Sequence, residues 1–277
     1  METEFQVYGR KMAALSWGEE GQTPLLALHG WLDNAESFSP LAEHLRGFHL
    51  VALDLAGHGR SDHRNADGEY NIWSDLPDIL AVTGQLGWSS FHLLGHSRGA
   101  IIASLFASAM GERVAKLVLL DAFSPMGAEP EDCPRQLAAY MRDKQRLLDK
   151  QSRIFVRPED AIALRAGKGI GPAAAERIVR RNLKPCAGGW QWSTDARLQG
   201  ASAFKLTAAH NAAIMSTLNM PTLLLLAEQG LALRAEDRPV TGANTRVETV
   251  PGGHHCHMEA ATVVVAQRVQ AFFGDEV

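Results

Sequence analysis

A serine flanked by two glycines stands where a predicted strand meets a predicted helix, in the string LLGHSRGA (93–100). In that context Gly-x-Ser-x-Gly predicts a nucleophile elbow, a tight turn that projects the serine hydroxyl above the edge of a sheet. The residues two positions away must lack side chains so that the backbones can pass, and Gly95 and Gly99 meet that need. The glycines would also suit a turn that only joins strand to helix, but the flanking elements favour nucleophilic attack by Ser97.

A serine hydroxyl is a weak nucleophile at neutral pH, so it needs a general base, and usually a carboxylate that orients the base. With an elbow, the chain order is serine, then acid, then histidine. The string PGGHHCHME (251–259) places His254 directly after the predicted last strand. We therefore predict His254 as the base, with His255 as the second choice. The His/Cys cluster also suggests a metal, but no second ligand group stands at a recognisable spacing, so no metal is expected.

Attack on a carbonyl also needs two backbone N–H donors that stabilise the oxyanion. One comes from the residue after the nucleophile, which is Arg98. The other comes from the loop after an early strand, and the string PLLALHGW (24–31) ends such a strand with a glycine. We predict that the backbone N–H of Trp31 is the second donor. The alternative is a glycine turn that carries an exposed tryptophan.

These residues need a sheet to bring them together, and the sequence contains short apolar runs that suit one. Near-continuous Leu/Val/Ala runs without alternating polarity are typical of strands buried on both faces of a parallel sheet. Helical patterns separate the runs, which predicts an α/β fold. Residues 5–17 are predicted as an antiparallel hairpin, 245–252 as the last strand and 258–273 as a closing helix. The runs are PLLALHG (24–30), HLVALDLAG (49–57), SFHLLGHS (90–97), KLVLLD (116–121) and TLLLLAE (222–228).

About a hundred residues between the fourth and fifth runs show helical spacing and almost no strand pattern. Residues 122–220 carry 15 basic and 9 acidic side chains, although the whole chain has a net charge of −4. We therefore predict a core domain of residues 1–121 and 221–277 and a helical cap domain of residues 122–220. Within it, GKGIGP (167–172) is similar to a DNA-binding hairpin, but a helix that starts with proline explains the string better.

Five strings resemble the α/β-hydrolase fold superfamily, and among its members the serine hydrolase-like subgroup. The resemblance implies an eight-stranded, mostly parallel sheet with flanking helices, a helical cap insertion and a Ser-His-acid triad beneath the cap. Members with an aspartate nucleophile are disfavoured because position 97 is serine. The strings are HGWLDN (29–34), DLAGHGRSD (54–62), GHSRGA (95–100), LLLLAEQG (223–230) and PGGHHCHME (251–259).

The sequence departs from this family at the catalytic acid. The family usually places an aspartate in the turn after the strand that follows the cap, and here that position is Gly230. Asp121 ends the preceding strand, where other members carry the acid, and Glu228 lies two residues before Gly230. We predict Asp121, with Glu228 as the alternative, and Asp237 or the absence of an acid as further possibilities.

Composition sets the remaining expectations. The chain of 277 residues is 46% hydrophobic and 21% charged, which is ordinary for a globular protein. No apolar run approaches the roughly 20 residues of a membrane span, and the first residues do not read as a secretory signal, so we expect a cytoplasmic protein without a membrane partner. The three cysteines predict no disulfide framework, and the net charge gives no reason to expect nucleic acid.

The motifs together predict a serine hydrolase that cleaves a carboxylic ester or related acyl compound through an acyl-enzyme, with a small-molecule substrate and no cofactor. The alternatives are carbon–carbon bond hydrolysis or cofactor-free perhydrolysis on the same triad. A further alternative is a small-molecule-binding homologue without catalysis, which the glycine at position 230 suggests. The sequence does not indicate an oligomeric state.

Overall fold

A computed structural model describes residues 1–231 and 242–274 of the chain. Its strands are β1 (Glu2–Val7), β2 (Arg10–Trp17), β3 (Thr23–Leu28), β4 (Phe48–Leu53), β5 (Phe91–His96), β6 (Val114–Leu120), β7 (Ile154–Phe155), β8 (Leu183–Cys186), β9 (Gly189–Trp192), β10 (Thr222–Gln229) and β11 (Thr245–Gly253). Its α-helices are α1 (Ser39–Ala42), α2 (Leu76–Gln85), α3 (Arg98–Ala109), α4 (Cys133–Leu148), α5 (Pro158–Ala166), α6 (Pro172–Asn182), α7 (Ala208–Ser216) and α8 (Thr262–Gly274).

In the described residues the main sheet has eight strands, in the order β1-β2-β4-β3-β5-β6-β10-β11. Strands β1 and β2 form an antiparallel hairpin at one edge, and β4, β3, β5, β6, β10 and β11 run parallel to one another. Every residue of β4 and β5 is buried, as expected for strands covered on both faces. The predicted α/β-hydrolase architecture is confirmed. Because β3, β5, β6, β10 and β11 are parallel, their carboxyl ends lie at one edge of the sheet.

Two hydrophobic cores cover the two faces of this sheet. One contains side chains from α2 and α3, and the other contains side chains from α1 and α8. The closing helix begins later than predicted, at Thr262 rather than at residue 258, because residues 254–259 form turns that carry polar side chains. Within residues 1–231 and 242–274, no helix combines the length and the apolar character needed to span a membrane.

The segment between β6 and β10 contains α4 to α7, together with strands that sequence analysis did not predict. Strands β7, β9 and β8 form a small antiparallel sheet. Cys186 pairs with Gly189, so residues 187 and 188 make a two-residue hairpin loop, and Gly188 and Gly189 take φ of 88° and 139°. The expectation of almost no strand in this segment is therefore wrong. Two adjacent glycines supply the positive φ that this hairpin needs. The remaining residues of β9, WQW (190–192), follow them.

Polar contacts attach α6 to the core. The Arg181 guanidinium is buried and donates to the carboxylates of Asp54 and Glu2. The Asn34 side chain donates to the carbonyl of Ile178 at 2.8 Å. These contacts hold α6 against the loops that follow β3 and β4. We keep the name cap segment for residues 122–220.

Candidate active site

Ser97 lies in a strained turn between β5 and α3. Its φ of 53° and ψ of −120° fall outside the regions that residues with side chains favour. A Cβ on Gly99 would lie 2.0 Å from the carbonyl oxygen of Leu28, and one on Gly95 would lie 2.5 Å from the Cα of Ala100. The two glycines therefore allow the backbones to pass, which is the physical reason for the Gly-x-Ser-x-Gly pattern.

The structure brings three of the predicted site residues into one hydrogen-bond chain. The Nε2 of His254 lies 2.8 Å from the Oγ of Ser97, and its Nδ1 lies 2.6 Å from Oδ2 of Asp121. A carboxylate can only accept, so Nδ1 carries the proton and Nε2 is left to accept from the hydroxyl. This is the tautomer that a general base requires.

Asp121 is held at the end of β6 by more than the histidine. It is buried, its φ is 49°, and its carboxylate accepts from the backbone N–H of Ala227 at 3.1 Å and of Leu231 at 2.9 Å. A Cβ on Gly230 would lie 2.2 Å from Oδ1 and 2.3 Å from Oδ2 of Asp121. The carboxylate of Asp121 thus occupies the space beside position 230, and only glycine leaves that space free.

The other candidate acids are not part of this chain of hydrogen bonds. The side chain of Glu228 is exposed on β10, whereas the carboxylate that His254 contacts comes from β6. Asp237 lies outside the described residues. The choice between Asp121 and Glu228 stayed open at the level of sequence because it depends on which strand end faces His254.

The backbone around Trp31 is fixed on both sides by neutral histidines. His29 donates from Nδ1 to the carbonyl of Gly30 and accepts from the N–H of Leu55, and His58 accepts from the N–H of Leu32. Burial lowers the pKa of His29 and of His58, which keeps both rings uncharged. These hydrogen bonds fix the position of the backbone on either side of the Trp31 N–H.

Arg98 is the first residue of α3, so its N–H has no acceptor within the helix. The first turn of α3 runs directly against the end of β3, as the close approach of Gly99 to Leu28 and His29 demonstrates. The side chain of Arg98 points elsewhere, because its guanidinium donates to Asp75 at 2.8 Å. Only its backbone faces the elbow turn.

A second polar cluster lies behind His254. His255 contacts Asp33 at 3.1 Å, Asp33 pairs with Arg165 at 2.7 Å, and His96 donates from Nε2 to the carbonyl of His254 at 2.7 Å. Asp33, His96 and His255 are the one grouping of metal-ligating side chains in the described part of the chain, with ligand atoms within 4.8 Å of one another. Because the carboxylate already accepts from His255 and Arg165, protein donors neutralise it.

Asp33 and Arg165 were not predicted from the sequence as site residues. Asp33 belongs to the string HGWLDN that supports the family resemblance, but nothing local in that string assigns it a contact. Its partners are 132 and 222 residues away along the chain. Contacts between residues this far apart in the sequence can be identified only from the folded structure.

The fold and the arrangement around Ser97 define a class of protein, and comparisons with known proteins agree. The family model of the alpha/beta hydrolase fold matches residues 23–261. The chain therefore belongs to the α/β-hydrolase fold family.

Individual relatives indicate a subgroup within this family. The crystal structure of a hypothetical protein from Pseudomonas aeruginosa PAO1 is 38% identical, with 99% of each chain covered and a TM-score of 0.91. Serine hydrolase-like proteins of Dictyostelium discoideum and Mus musculus are 28% and 29% identical, over 97% and 90% of this chain and 80% and 88% of theirs. The expected resemblance to the serine hydrolase-like subgroup is confirmed.

Proposed function

We propose that the protein is a serine hydrolase that cleaves a carboxylic ester or related acyl substrate through a covalent acyl-enzyme. The single observation that carries this proposal is the hydrogen-bond chain from the Ser97 hydroxyl through His254 to Asp121. A hydroxyl that donates to the unprotonated nitrogen of a partly buried imidazole, itself oriented by a carboxylate, is an activated nucleophile. The serine hydrolase-like relatives support the same reading.

In the first step the Oγ of Ser97 attacks the substrate carbonyl while His254 takes its proton on Nε2. The backbone N–H groups of Trp31 and Arg98 stabilise the oxyanion of the tetrahedral intermediate. The intermediate collapses, and the leaving alcohol takes the proton from His254. Water then attacks the acyl-enzyme with His254 again as base, which releases the acid and restores Ser97.

A cleft between the core and the cap segment, which Ser97, His254 and Asp121 do not line, is a candidate place for a part of the substrate remote from the reacting carbonyl. Tyr70 and Leu198 line it, and their carbonyls accept from the Arg98 guanidinium and from the Trp31 indole. Its charged groups are already paired, since Lys144 contacts Glu69 and Arg197 contacts Asp195. We infer that the bound part of the substrate is uncharged.

A fluorophosphonate probe tests the nucleophile. We expect it to label wild-type protein on Ser97 and to leave the Ser97→Ala variant unlabelled, with Ser89→Ala, an exposed serine, as the control that stays labelled. Absence of labelling on folded wild-type protein would contradict the proposal.

A substrate panel separates the ester reaction from its alternatives. Hydrolysis of short p-nitrophenyl esters, without turnover of diketones and without perhydrolysis, is the expected result. Turnover of diketones alone would point instead to carbon–carbon bond hydrolysis on the same residues, because fold and triad do not fix the substrate. A probe-resistant Ser97 combined with a small molecule that raises Tm would indicate a binding protein.

A further inference from the structure

The turn that follows His254 is tied to the cap segment by a buried chain of hydrogen-bonded polar side chains. His255, the next residue, donates from Nε2 to Oδ2 of Asp33 at 3.1 Å. The other oxygen of Asp33 accepts from the guanidinium of Arg165 on α5 at 2.7 Å. Asp33 is 1% exposed and Arg165 is 19% exposed, so the link is shielded from solvent. One carboxylate therefore joins a cap helix to the neighbour of the proposed base.

The buried carboxylate of Asp33 is stabilised by its contacts with His255 and Arg165. Burial alone would raise the pKa of Asp33, but the hydrogen bond from His255 and the charge of Arg165 lower it well below its usual range. A buried carboxylate that loses one of its partners is left uncompensated, which is strongly unfavourable. Movement of α5 away from Asp33 would therefore force Asp33, or His255 with it, to rearrange.

The α5–α6 hairpin holds the same turn at two further points. The carboxylate of Glu259 accepts from the backbone N–H of Gly171 at 2.6 Å. Met258 packs in a small hydrophobic cluster with Ile170 and Ile178 of the hairpin. The glycine-rich string 167–172, which is similar to a DNA-binding hairpin, here presents a backbone donor to the turn that carries His254.

Asp33 also belongs to the loop that carries the proposed oxyanion donor. Its backbone N–H donates to the carbonyl of Gly30 at 3.2 Å, which closes the turn around Trp31. On the other side, His96 precedes the nucleophile and donates to the carbonyl of His254. The loop with Trp31, the turn with His254 and helix α5 thus meet at one side chain.

We propose that Asp33 and Arg165 are positioning residues that set the turn carrying His254, so that the triad is correctly aligned only while α5 of the cap segment is docked on Asp33. The inference rests on the proposed hydrolase function and adds a dependence of that function on the cap. Neither residue touches the reacting atoms. A displacement of about 1 Å at a catalytic group is enough to lower turnover about 10²-fold.

A double-mutant cycle on kcat tests the link. We expect Asp33→Asn and Arg165→Gln each to lower kcat about 10-fold to 10²-fold with little change in KM. The double variant should be no slower than the slower single variant, because both changes break one interaction. Arg165→Lys, which keeps the positive charge, should recover part of the loss. Unchanged kcat in the single variants, or losses that multiply in the double variant, would overturn the proposal.

The matched control is Arg181→Gln, which breaks another buried link between the cap segment and the core that does not touch the turn with His254. In the Asp33→Asn/Arg181→Gln double variant, the two single losses of kcat should multiply, because the two links are independent. If kcat of the Asp33→Asn/Arg181→Gln double variant is instead no lower than that of the slower single variant, the kinetic effect reflects general loosening of the cap segment. Asp33 then has no special role.

Hydrogen exchange supplies a readout that does not depend on turnover or on the folding of the Asp33 variant. Arg165→Gln should speed amide exchange in residues 254–259 more than Arg181→Gln does, because Arg165 contacts Asp33 directly. If wild-type protein resists the fluorophosphonate probe but this exchange pattern is found, the hydrolase function fails while the structural coupling stands. If the probe reacts and exchange in residues 254–259 is unchanged, the coupling fails alone.

Discussion

The carboxylate of Asp121 fills the space that a side chain at position 230 would need. A Cβ built on Gly230 would lie within 2.3 Å of both carboxylate oxygens, well inside any contact distance. The family usually carries its acid in this turn, and this chain carries a glycine there. The glycine at position 230 therefore leaves room for the Asp121 carboxylate of the proposed triad, so this glycine does not by itself indicate a protein without catalysis.

We expect Gly230→Ala to lower kcat strongly, because the added methyl group must push the Asp121 carboxylate away from His254. The comparison is Gly84→Ala on α2, where a Cβ would meet nothing within 4 Å. Steady-state kinetics on both variants, with circular dichroism to check folding, measure the difference. Equal activities would mean that the carboxylate can move without loss.

We predict that the carboxylate that contacts His254 can be moved from position 121, at the end of β6, to position 230, in the turn after β10. Asp121→Gly removes the carboxylate at a position whose φ of 49° suits glycine, and Gly230→Asp places a carboxylate where the old one was. We expect the double variant to recover part of the turnover lost in Asp121→Gly, about tenfold or more. Gly230→Asp alone should be inactive, since two carboxylates would compete for one space. A double variant no better than Asp121→Gly would show that the turn cannot present the acid.

Trp31 should contribute to turnover through its backbone and not through its ring. The indole is half exposed and donates to the carbonyl of Leu198, so Trp31→Ala should change KM more than kcat. Trp31→Pro removes the N–H, and loss of one oxyanion donor costs about 10²-fold to 10³-fold in kcat. Similar kcat values for the two folded variants would exclude the Trp31 N–H as a donor.

Stability should fall in acid because buried histidines are held uncharged. Burial lowers the pKa of His257 from 6.5 to about 3, and among the described residues neither of its ring nitrogens has a hydrogen-bond partner. Between these pH values the unfolded chain binds a proton that the folded protein does not, so the free energy of unfolding decreases as the pH falls. His257→Phe should lower this slope by up to about 1.4 kcal/mol per pH unit in urea titrations. Val263→Ala, an exposed position on α8 without a titratable side chain, should leave the slope unchanged.

The sequence predicted the parts of this structure whose signals are local. Strand β5 and the elbow at Ser97 follow from an apolar run, two glycines and a helical pattern within a few residues. His254 follows from its place after the last strand. Each of these predictions needs only the period of a strand or helix and the steric demand of one turn.

The remaining features depend on distant parts of the chain. The choice between Asp121 and Glu228 depends on which of two strand ends faces His254, and both strings look alike in sequence. The β7-β9-β8 sheet was missed because its strands have two to four residues, too few to set a period. Asp33 and Arg165 meet only because α5 crosses over the loop that follows β3.

Turnover by Asp121→Asn and Glu228→Gln, measured side by side, tests the central claim most directly. Loss of the orienting carboxylate leaves the imidazole in the wrong tautomer and lowers kcat about 10⁴-fold in a well-studied triad. We predict a loss of that size for Asp121→Asn and nearly wild-type kcat for Glu228→Gln, with both variants folded. A collapse of turnover in Glu228→Gln while Asp121→Asn keeps most of its activity would contradict the account and place the acid after β10.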